Sequence, residues 1–127
     1  MTEKKDTHKI ATGKEGEKLA ADFLKKNGYH IAEINYRCPI GEIDIIARDK
    51  NELVFVEVKA RKSSALGYPE QAVGVKKQKK MSQLALWYLQ EKKLGDVRAR
   101  FDVVAILLLP SGNDIRLIKN AFDVISF

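Results

Sequence analysis

Two adjacent β-rich segments constrain the fold of this chain more than any other feature of its sequence. Residues 42–48 and 53–60 are rich in Ile, Val and Phe, and only four residues separate them. A connection this short joins antiparallel strands, because parallel strands need a crossover of a dozen or more residues. The two segments therefore predict a β-hairpin, around which the other elements must be arranged.

The segments around the hairpin alternate between helical and strand patterns. Apolar residues recur at helical spacing over 14–27, and a second helix is predicted from residue 69 or 75 to residue 93. Turn residues separate further strands, predicted over 29–36, 98–109 and 115–119, with a Ser/Gly/Pro loop over 61–69. The order αβββαββ predicts an α/β fold with a mixed central sheet and helices packed on it.

The length of the chain fits one domain. It has 127 residues, of which 45% are hydrophobic and 31% charged, so it can bury one modest core and does not have the composition of a disordered chain. Residues 1–12 are polar, charged and without periodicity. We expect them to form a flexible tail, followed by a single domain over 13–127.

Several classes of protein are disfavoured by the sequence. The longest unbroken apolar run, residues 103–109, is far shorter than the ~20 residues of a membrane helix. The first ten residues contain no apolar segment typical of a secretion signal. The single cysteine, Cys38, excludes an internal disulfide and a cysteine-based zinc site. We expect a cytoplasmic protein without a membrane partner.

The net positive charge is concentrated in one segment. The chain carries 23 Lys and Arg against 17 Asp and Glu, and the stretch from Lys59 to Lys80 contains seven of the basic residues but one acid, Glu70. A local excess of this kind is typical of proteins that bind a phosphate backbone. The alternative is a lysine-rich helix face that only contacts solvent. No sequence-reading motif accompanies the segment.

Alternation along the two strands predicts which charged side chains share a face. Residues two apart on a strand point the same way, so Glu57 and Lys59 lie on one face together with Phe55. On the preceding strand, the same rule separates Asp44 from Ile43 and Ile45 on the opposite face.

The length of the connection predicts the register of the hairpin. If the connection is symmetric about residues 50 and 51, Asp49 pairs with Glu52 and Asp44 lies opposite Glu57. Directly opposed Cβ atoms are ~5 Å apart. Two carboxylates at that separation repel by roughly 3 kcal/mol at an effective dielectric constant of about 20. A shared proton, Lys59 or a divalent cation must offset this repulsion.

The pair of carboxylates suggests metal-dependent chemistry. Carboxylate oxygens suit Mg²⁺ or Mn²⁺, which keep bound water and accept phosphate oxygens as further ligands. Lys59 could hold a phosphate oxygen or orient the attacking water. The alternative is a surface ion pair, because acid-x-Lys is common on strands. The change from apolar Phe55 to ionic Glu57 on one face favours a cleft, and hence a metal-dependent phosphodiesterase.

These residues resemble the motifs of known nucleases. Asp44 followed by Glu57-Val58-Lys59 is similar to the Asp…(Asp/Glu)-x-Lys signature of the restriction-endonuclease-like superfamily. The chain more closely resembles the YraN-like family, a set of bacterial proteins usually described as predicted nucleases akin to archaeal Holliday junction resolvases. Seven segments carry this resemblance: Gly16-Glu17-x-x-Ala20, Asn35-Tyr36-Arg37, Gly41-Glu42-Ile43-Asp44, residues 54–61, Lys77-Gln78, Arg100-Phe101-Asp102-Val103-Val104 and Ala121-Phe122.

The resemblance implies a restriction-endonuclease-like fold and assigns roles to individual residues. It implies that Asp44, Glu57 and the Val58 carbonyl bind Mg²⁺ or Mn²⁺. Lys59 corresponds to the catalytic lysine, and Glu17 on the first helix completes the site. The implied activity is metal-dependent endonucleolytic cleavage of DNA, by in-line attack of water on the phosphodiester.

The same resemblance, with the basic segment, suggests DNA as the partner. Branched or otherwise structured DNA is the expected substrate, and a homodimer is a conceivable assembly. One alternative is a non-catalytic nucleic-acid-binding module on a nuclease scaffold, and another is a protein-interaction domain with a charged surface. The candidate DNA-binding residues are Arg37, Arg61, Lys62, Lys76, Lys77, Gln78, Lys79 and Lys80.

Overall fold

The computed structural model describes the backbone of residues 2–62 and 73–123, and the side chains of this part from residue 13 onward. Two helices and five strands follow one another in the predicted order αβββαββ. They are α1 (Thr2–Lys26), β1 (His30–Cys38), β2 (Gly41–Asp49), β3 (Glu52–Arg61), α2 (Val75–Glu91), β4 (Arg98–Leu107) and β5 (Asp114–Phe122). Most of the loop predicted over 61–69 lies outside the described residues.

The five strands form one mixed sheet in the order β1-β2-β3-β4-β5. Neighbouring strands are antiparallel except β3 and β4, which are parallel. Parallel strands require a crossover, and α2 lies in the connection that makes it. The predicted mixed α/β architecture is thereby confirmed.

Each face of the sheet has its own apolar core. The alternation on β3 shows the division: Val54 and Val56 pack toward α1, and Leu53 and Phe55 pack toward α2. All four side chains are buried. The central strands are apolar on both faces because helices cover both. Within the part of the chain that the structure describes, neither helix is long and apolar enough to cross a membrane.

The first helix begins well before the predicted start near residue 14. It starts at Thr2, so the residues predicted to be a tail are helical from there on. The prediction relied on apolar periodicity, which detects only helices with a buried face. Residues 2–12 contain three lysines, which favour helix through their intrinsic propensity, but no helical apolar periodicity that could have predicted the earlier start.

An ionic network connects β2, β3, β4 and the residue before β1. The Arg100 guanidinium lies 2.7 Å from Asp49, 3.0 Å from Glu52 and 3.0 Å from Asp102. The Tyr29 hydroxyl donates a hydrogen bond to the Asp102 carboxylate at 2.8 Å and accepts one from Arg100 at 2.9 Å. Because Asp102 is fully buried, these contacts replace the solvation that its carboxylate loses.

The network also anchors the irregular edge strand β5. The register between β4 and β5 shifts near Asn120, whose φ is 52°. The backbone N–H of Asn120 donates a hydrogen bond to the Asp102 carboxylate at 2.9 Å. Burial lowers the pKa of Arg100, but hydrogen bonds to Asp102 and Asp49 outweigh burial and raise it above its usual value. The guanidinium therefore remains charged at any working pH.

Candidate active site

The hairpin has the register that its connection predicts. Asp49 pairs with Glu52, and the ladder continues in step to Ile45 and Val56. Asp44 is the next residue of β2 beyond this ladder. Its carboxylate accepts a hydrogen bond from the backbone N–H of Val58 at 2.8 Å. The Asp44 side chain is therefore fixed against β3, and Glu57 is near enough for its charge to raise the pKa of Asp44, although the predicted pairing of these two residues lies beyond the ladder.

Asn35 on β1 creates an irregularity next to this carboxylate. It lies across from Asp44 in the β1–β2 register and has a φ of 56°, in the left-handed region. Among residues with side chains, Asn and Asp adopt this conformation most readily. The sequence analysis did not single out Asn35 as a site residue, although it belongs to the segments that carry the resemblance.

The left-handed conformation of Asn35 explains why one sequence prediction is wrong. Ile43 was expected to share a face with Ile45, but Ile43 packs in the α2-side core with Tyr36, and Ile45 packs in the α1-side core. Simple alternation assumes an uninterrupted β conformation, and a left-handed residue in the neighbouring strand interrupts it. Asp44, between these two isoleucines, lies where β2 changes from one core to the other.

Close packing of α1 on β3 brings Glu17 into the neighbourhood of Asp44. A Cβ atom built on Gly16 would lie 2.7 Å from Cβ of Ala60 and 3.9 Å from Val58. The helix can approach the strand this closely only because Gly16 has no side chain. Glu17, the next residue, is near enough for its charge to raise the pKa of Asp44. Glu17 therefore lies within Coulombic range of Asp44, and its predicted role in completing the site stays a prediction.

We expect Gly16→Ala to destabilise the fold by about 1–3 kcal/mol, because overpacking forces helix and strand apart. The matched control is Gly13→Ala on the same helix, where an added Cβ meets no atom within 4 Å. This control should be neutral or slightly stabilising, since Ala favours helix more than Gly. Urea denaturation of both variants measures the difference. Equal stability of the two variants would contradict the close approach.

Burial and two neighbouring acids perturb the protonation of Asp44. Burial, the charge of Glu57 and, more weakly, the charge of Glu17 raise its pKa from 3.8 to a net value of about 7. The Val58 hydrogen bond and the Lys77 charge act in the opposite direction. A carboxyl group whose pKa is raised by burial and by neighbouring acids is typical of functional sites.

Lys77 on α2 supplies the nearest positive charge. Its ammonium nitrogen lies 3.2 Å from the Glu57 carboxylate, whose side chain is only 12% exposed. The sequence analysis considered Lys59 for this role and assigned Lys77 to DNA. In the structure, Lys77 forms the ion pair that offsets the repulsion of Asp44 and Glu57. Lys59 is half-buried on β3, two residues beyond Glu57.

The donor set fits a hard divalent cation by its chemistry. Asp44 and Glu57 offer carboxylate oxygens, which Mg²⁺ and Mn²⁺ prefer. Across the described residues, however, no three His, Cys, Asp or Glu side chains are grouped closely enough to hold a metal. The backbone N–H of Val58 is hydrogen-bonded to Asp44, and its side chain packs toward α1. The predicted role of the Val58 carbonyl stays a prediction.

The predicted DNA-binding residues fall into different environments. Arg37 is exposed and pairs with Glu42 at 3.1 Å. The Gln78 side chain donates a hydrogen bond to the Val73 carbonyl at 3.2 Å and so stabilises the start of α2. Arg61 is half-buried at the end of β3. The exposed members of the set are Lys62, Lys76, Lys77, Lys79 and Lys80.

The structure adds a second group of lysines that the sequence analysis missed. Lys14, Lys18 and Lys25 line a cavity of about 460 Å³ that Glu17 and Asn35 also border. Their spacing of four and seven residues on a helix was the available signal. It was overlooked because acids and bases balance over the chain outside the basic segment. The acidic site therefore has lysines on both helices beside it.

Fold and site define the class of this chain: a mixed α/β domain with an acidic site between two lysine-bearing helices. Residues 16–106 match the group described as "Uncharacterised protein family UPF0102". The chain belongs to this family, which supports the family-level resemblance seen in the sequence.

Relatives in the family match the chain over nearly its whole length. "UPF0102 protein" of Syntrophus aciditrophicus is 54% identical over 93% of both chains. The protein of the same name in Desulfosudis oleivorans is 50% identical over 87% of this chain and 89% of its own. That of Acetivibrio thermocellus is 47% identical over 91% of this chain and 93% of its own.

Proposed function

We propose that this protein is a cytoplasmic, Mg²⁺-dependent endonuclease that hydrolyses phosphodiester bonds of branched or otherwise structured DNA. One observation carries the proposal: the half-buried carboxyl group of Asp44 lies within Coulombic range of two further acids, Glu17 and Glu57, and lysines of both helices border this region. An acidic centre attracts a divalent cation, and basic surroundings attract a polyanion. The restriction-endonuclease-like fold is part of this proposal.

Each side chain of the site has its own role in the proposed hydrolysis. Asp44 and Glu57 would hold the metal, with Glu17 bound directly or through water. The bound metal would supply Lewis-acid stabilisation of the negative charge that develops on the phosphate. Lys59 orients the attacking water or holds a phosphate oxygen, as its place on the face of Glu57 allows. The carboxyl group of Asp44, whose pKa is raised, must lose its proton before it can bind a cation. We therefore expect the affinity for the metal to increase with pH.

Lys77 takes a role in this proposal that the sequence did not suggest. Its ammonium group and a divalent cation would compete for the same Glu57 carboxylate. Once a cation neutralises Glu57, Lys77 is free to contact a phosphate of the DNA. The residue thus acts as the counter-ion of the metal-free site and as a DNA contact of the loaded one.

Glu57→Gln tests the proposed site. With junction, flap and linear DNA in Mg²⁺ or Mn²⁺, we expect the unmodified protein to cleave and the variant to lose more than about 100-fold in rate, because a metal ligand is removed. The control is Glu42→Gln on β2, whose carboxylate pairs with exposed Arg37. Cleavage that Glu57→Gln leaves undiminished would refute this assignment.

The second candidate function is a nucleic-acid-binding module without catalysis. The observation in its favour is that Lys77 already neutralises Glu57, while no three potential ligands come together among the described residues. This function predicts DNA binding that weakens steeply with salt, is insensitive to EDTA and is never followed by cleavage. A rise of affinity with Mg²⁺ would count against it.

A further inference from the structure

The solvent-facing side of α2 combines positive charge with large apolar side chains. We call this side the outer face of α2. Its members recur three or four residues apart, opposite the buried stripe that packs on the sheet. It consists of Lys76, Lys79, Lys80, Gln83, Leu86, Trp87 and Gln90, all of which are exposed.

Trp87 is the unexpected member of this face. An aromatic residue next to the buried stripe of a helix is expected to pack in the core, but of the neighbours Trp87 and Tyr88 only Tyr88 is buried. Trp87 is 36% exposed and its neighbour Leu86 44% exposed. Helical spacing explains the difference: Tyr88 lies four residues after buried Leu84, and Trp87 lies four residues after exposed Gln83. An exposed tryptophan on the same helix face as several lysines points to a ligand that has both charge and flat apolar surface.

A concave surface joins the outer face to the candidate active site. A cavity of about 710 Å³ is lined by Gly74, Gln83 and four lysines, one of which is Lys77. Lys77 also contacts Glu57, so the cavity is adjacent to the acidic site. Trp87 lies one helical turn beyond Gln83, and eight residues, or about 12 Å of helix axis, beyond Lys79.

An unpaired nucleic-acid strand matches this surface best. Lysine ammonium groups bind its phosphates, and an exposed aromatic ring stacks on its bases. In a duplex the faces of the bases are hidden within the stack, so the tryptophan would find no partner there. An acidic polypeptide would satisfy the lysines but would leave the ring without a matching flat surface.

We propose that the outer face of α2 binds an unpaired DNA strand next to the cleaved bond. Lys76, Lys79 and Lys80 contact its phosphates, and Trp87 stacks on one of its bases. The inference rests on the proposed function for its choice of DNA as the ligand. It narrows the substrate to structures with a single-stranded segment beside the scissile phosphate.

Trp87 itself provides the measurement, because it is the one tryptophan of the chain. We expect a short oligothymidylate, added to the full-length protein at low salt in EDTA, to quench its fluorescence to saturation. With three phosphate contacts, the logarithm of the affinity should fall with the logarithm of salt concentration with a slope of about −2. A blunt duplex should bind more weakly and leave the fluorescence nearly unchanged.

Substitutions separate stacking from charge. With a labelled oligothymidylate followed by anisotropy, we expect Trp87→Ala to weaken binding by about tenfold and Trp87→Phe to keep most of it, since both aromatic rings stack. Lys79→Gln should reduce the salt slope by about 0.7. The control is Leu109→Ala, an exposed apolar residue outside α2, which should bind as the unmodified protein does.

Three results would overturn the inference: no quenching by oligothymidylate, quenching by polyglutamate instead, or equal binding by Trp87→Ala. These binding experiments need neither metal nor cleavage. A protein that cuts no DNA yet shows the Trp87 response would therefore refute the proposed nuclease and keep this surface. A protein that cuts DNA but shows no Trp87 response would refute the proposed DNA-binding surface and leave the proposed nuclease standing.

Discussion

Replacing Asp44 by asparagine is expected to abolish DNA cleavage and, at pH 8, to make the folded protein more stable. The loss of activity follows from the removal of a metal ligand and should exceed about 100-fold. The gain in stability follows from the pKa of Asp44, which burial and the Glu57 charge raise from 3.8 to about 7. Asparagine can still accept the hydrogen bond from Val58 but carries no charge.

The sign of the pH dependence follows from proton linkage. Between pH 3.8 and about 7 the folded protein binds a proton at Asp44 that the unfolded chain has released, so stability falls as pH rises through this range. Above pH 7 both states are ionised and the full penalty, on the order of 4 kcal/mol, is present. Asp44→Asn removes this penalty. Its advantage should therefore appear at pH 8 and vanish near pH 4.

Urea denaturation at the two pH values, with and without Mg²⁺, measures these effects. Mg²⁺ should stabilise the unmodified protein more at pH 8 than at pH 6 and should not stabilise Asp44→Asn. The matched control is Asp22→Asn, an exposed acid on α1, which should change neither stability nor cleavage. If Asp44→Asn were less stable than the unmodified protein at pH 8, ionised Asp44 would not destabilise the fold as we propose.

Replacing Arg100 by methionine is expected to cost about 3–5 kcal/mol of folding free energy, because it leaves buried charge without a partner. Asp102 is fully buried, and Arg100 also binds Asp49 and Glu52. Its hydrogen bond to Asp49 is the main reason that the pKa of Asp49 is lowered. A loss of this size is a large fraction of the stability of a small domain.

Denaturation of Arg100→Met beside Arg98→Met tests this role. Arg98 lies on the same strand but is exposed, so its replacement should cost less than about 0.5 kcal/mol. Adding Asp102→Asn to Arg100→Met should restore part of the loss, because it removes the unpaired charge. If Arg100→Met were as stable as Arg98→Met, the network would have no structural role. The active-site predictions would be unaffected by that result.

Local patterns predicted the scaffold well. The element order and the hairpin register depend on loop lengths and on side-chain alternation, both of which can be read from neighbouring residues. The end of the regular ladder at Asp44 was not predictable in this way, because it depends on the conformation of Asn35 in another strand. The start of α1 was missed because periodicity reports a buried face rather than helix formation itself.

The amino-acid sequence by itself determined the strands, the second helix and the placement of Asp44 beside Glu57, because alternation and short connections act over a few residues. Only the tertiary structure decided that Glu17 lies near enough to raise the pKa of Asp44, that Lys77 is the counter-ion of Glu57, and that Trp87 faces solvent. Each of these outcomes depends on how a helix packs against the sheet. That packing is set by contacts between residues far apart in the chain, such as Gly16 with Ala60.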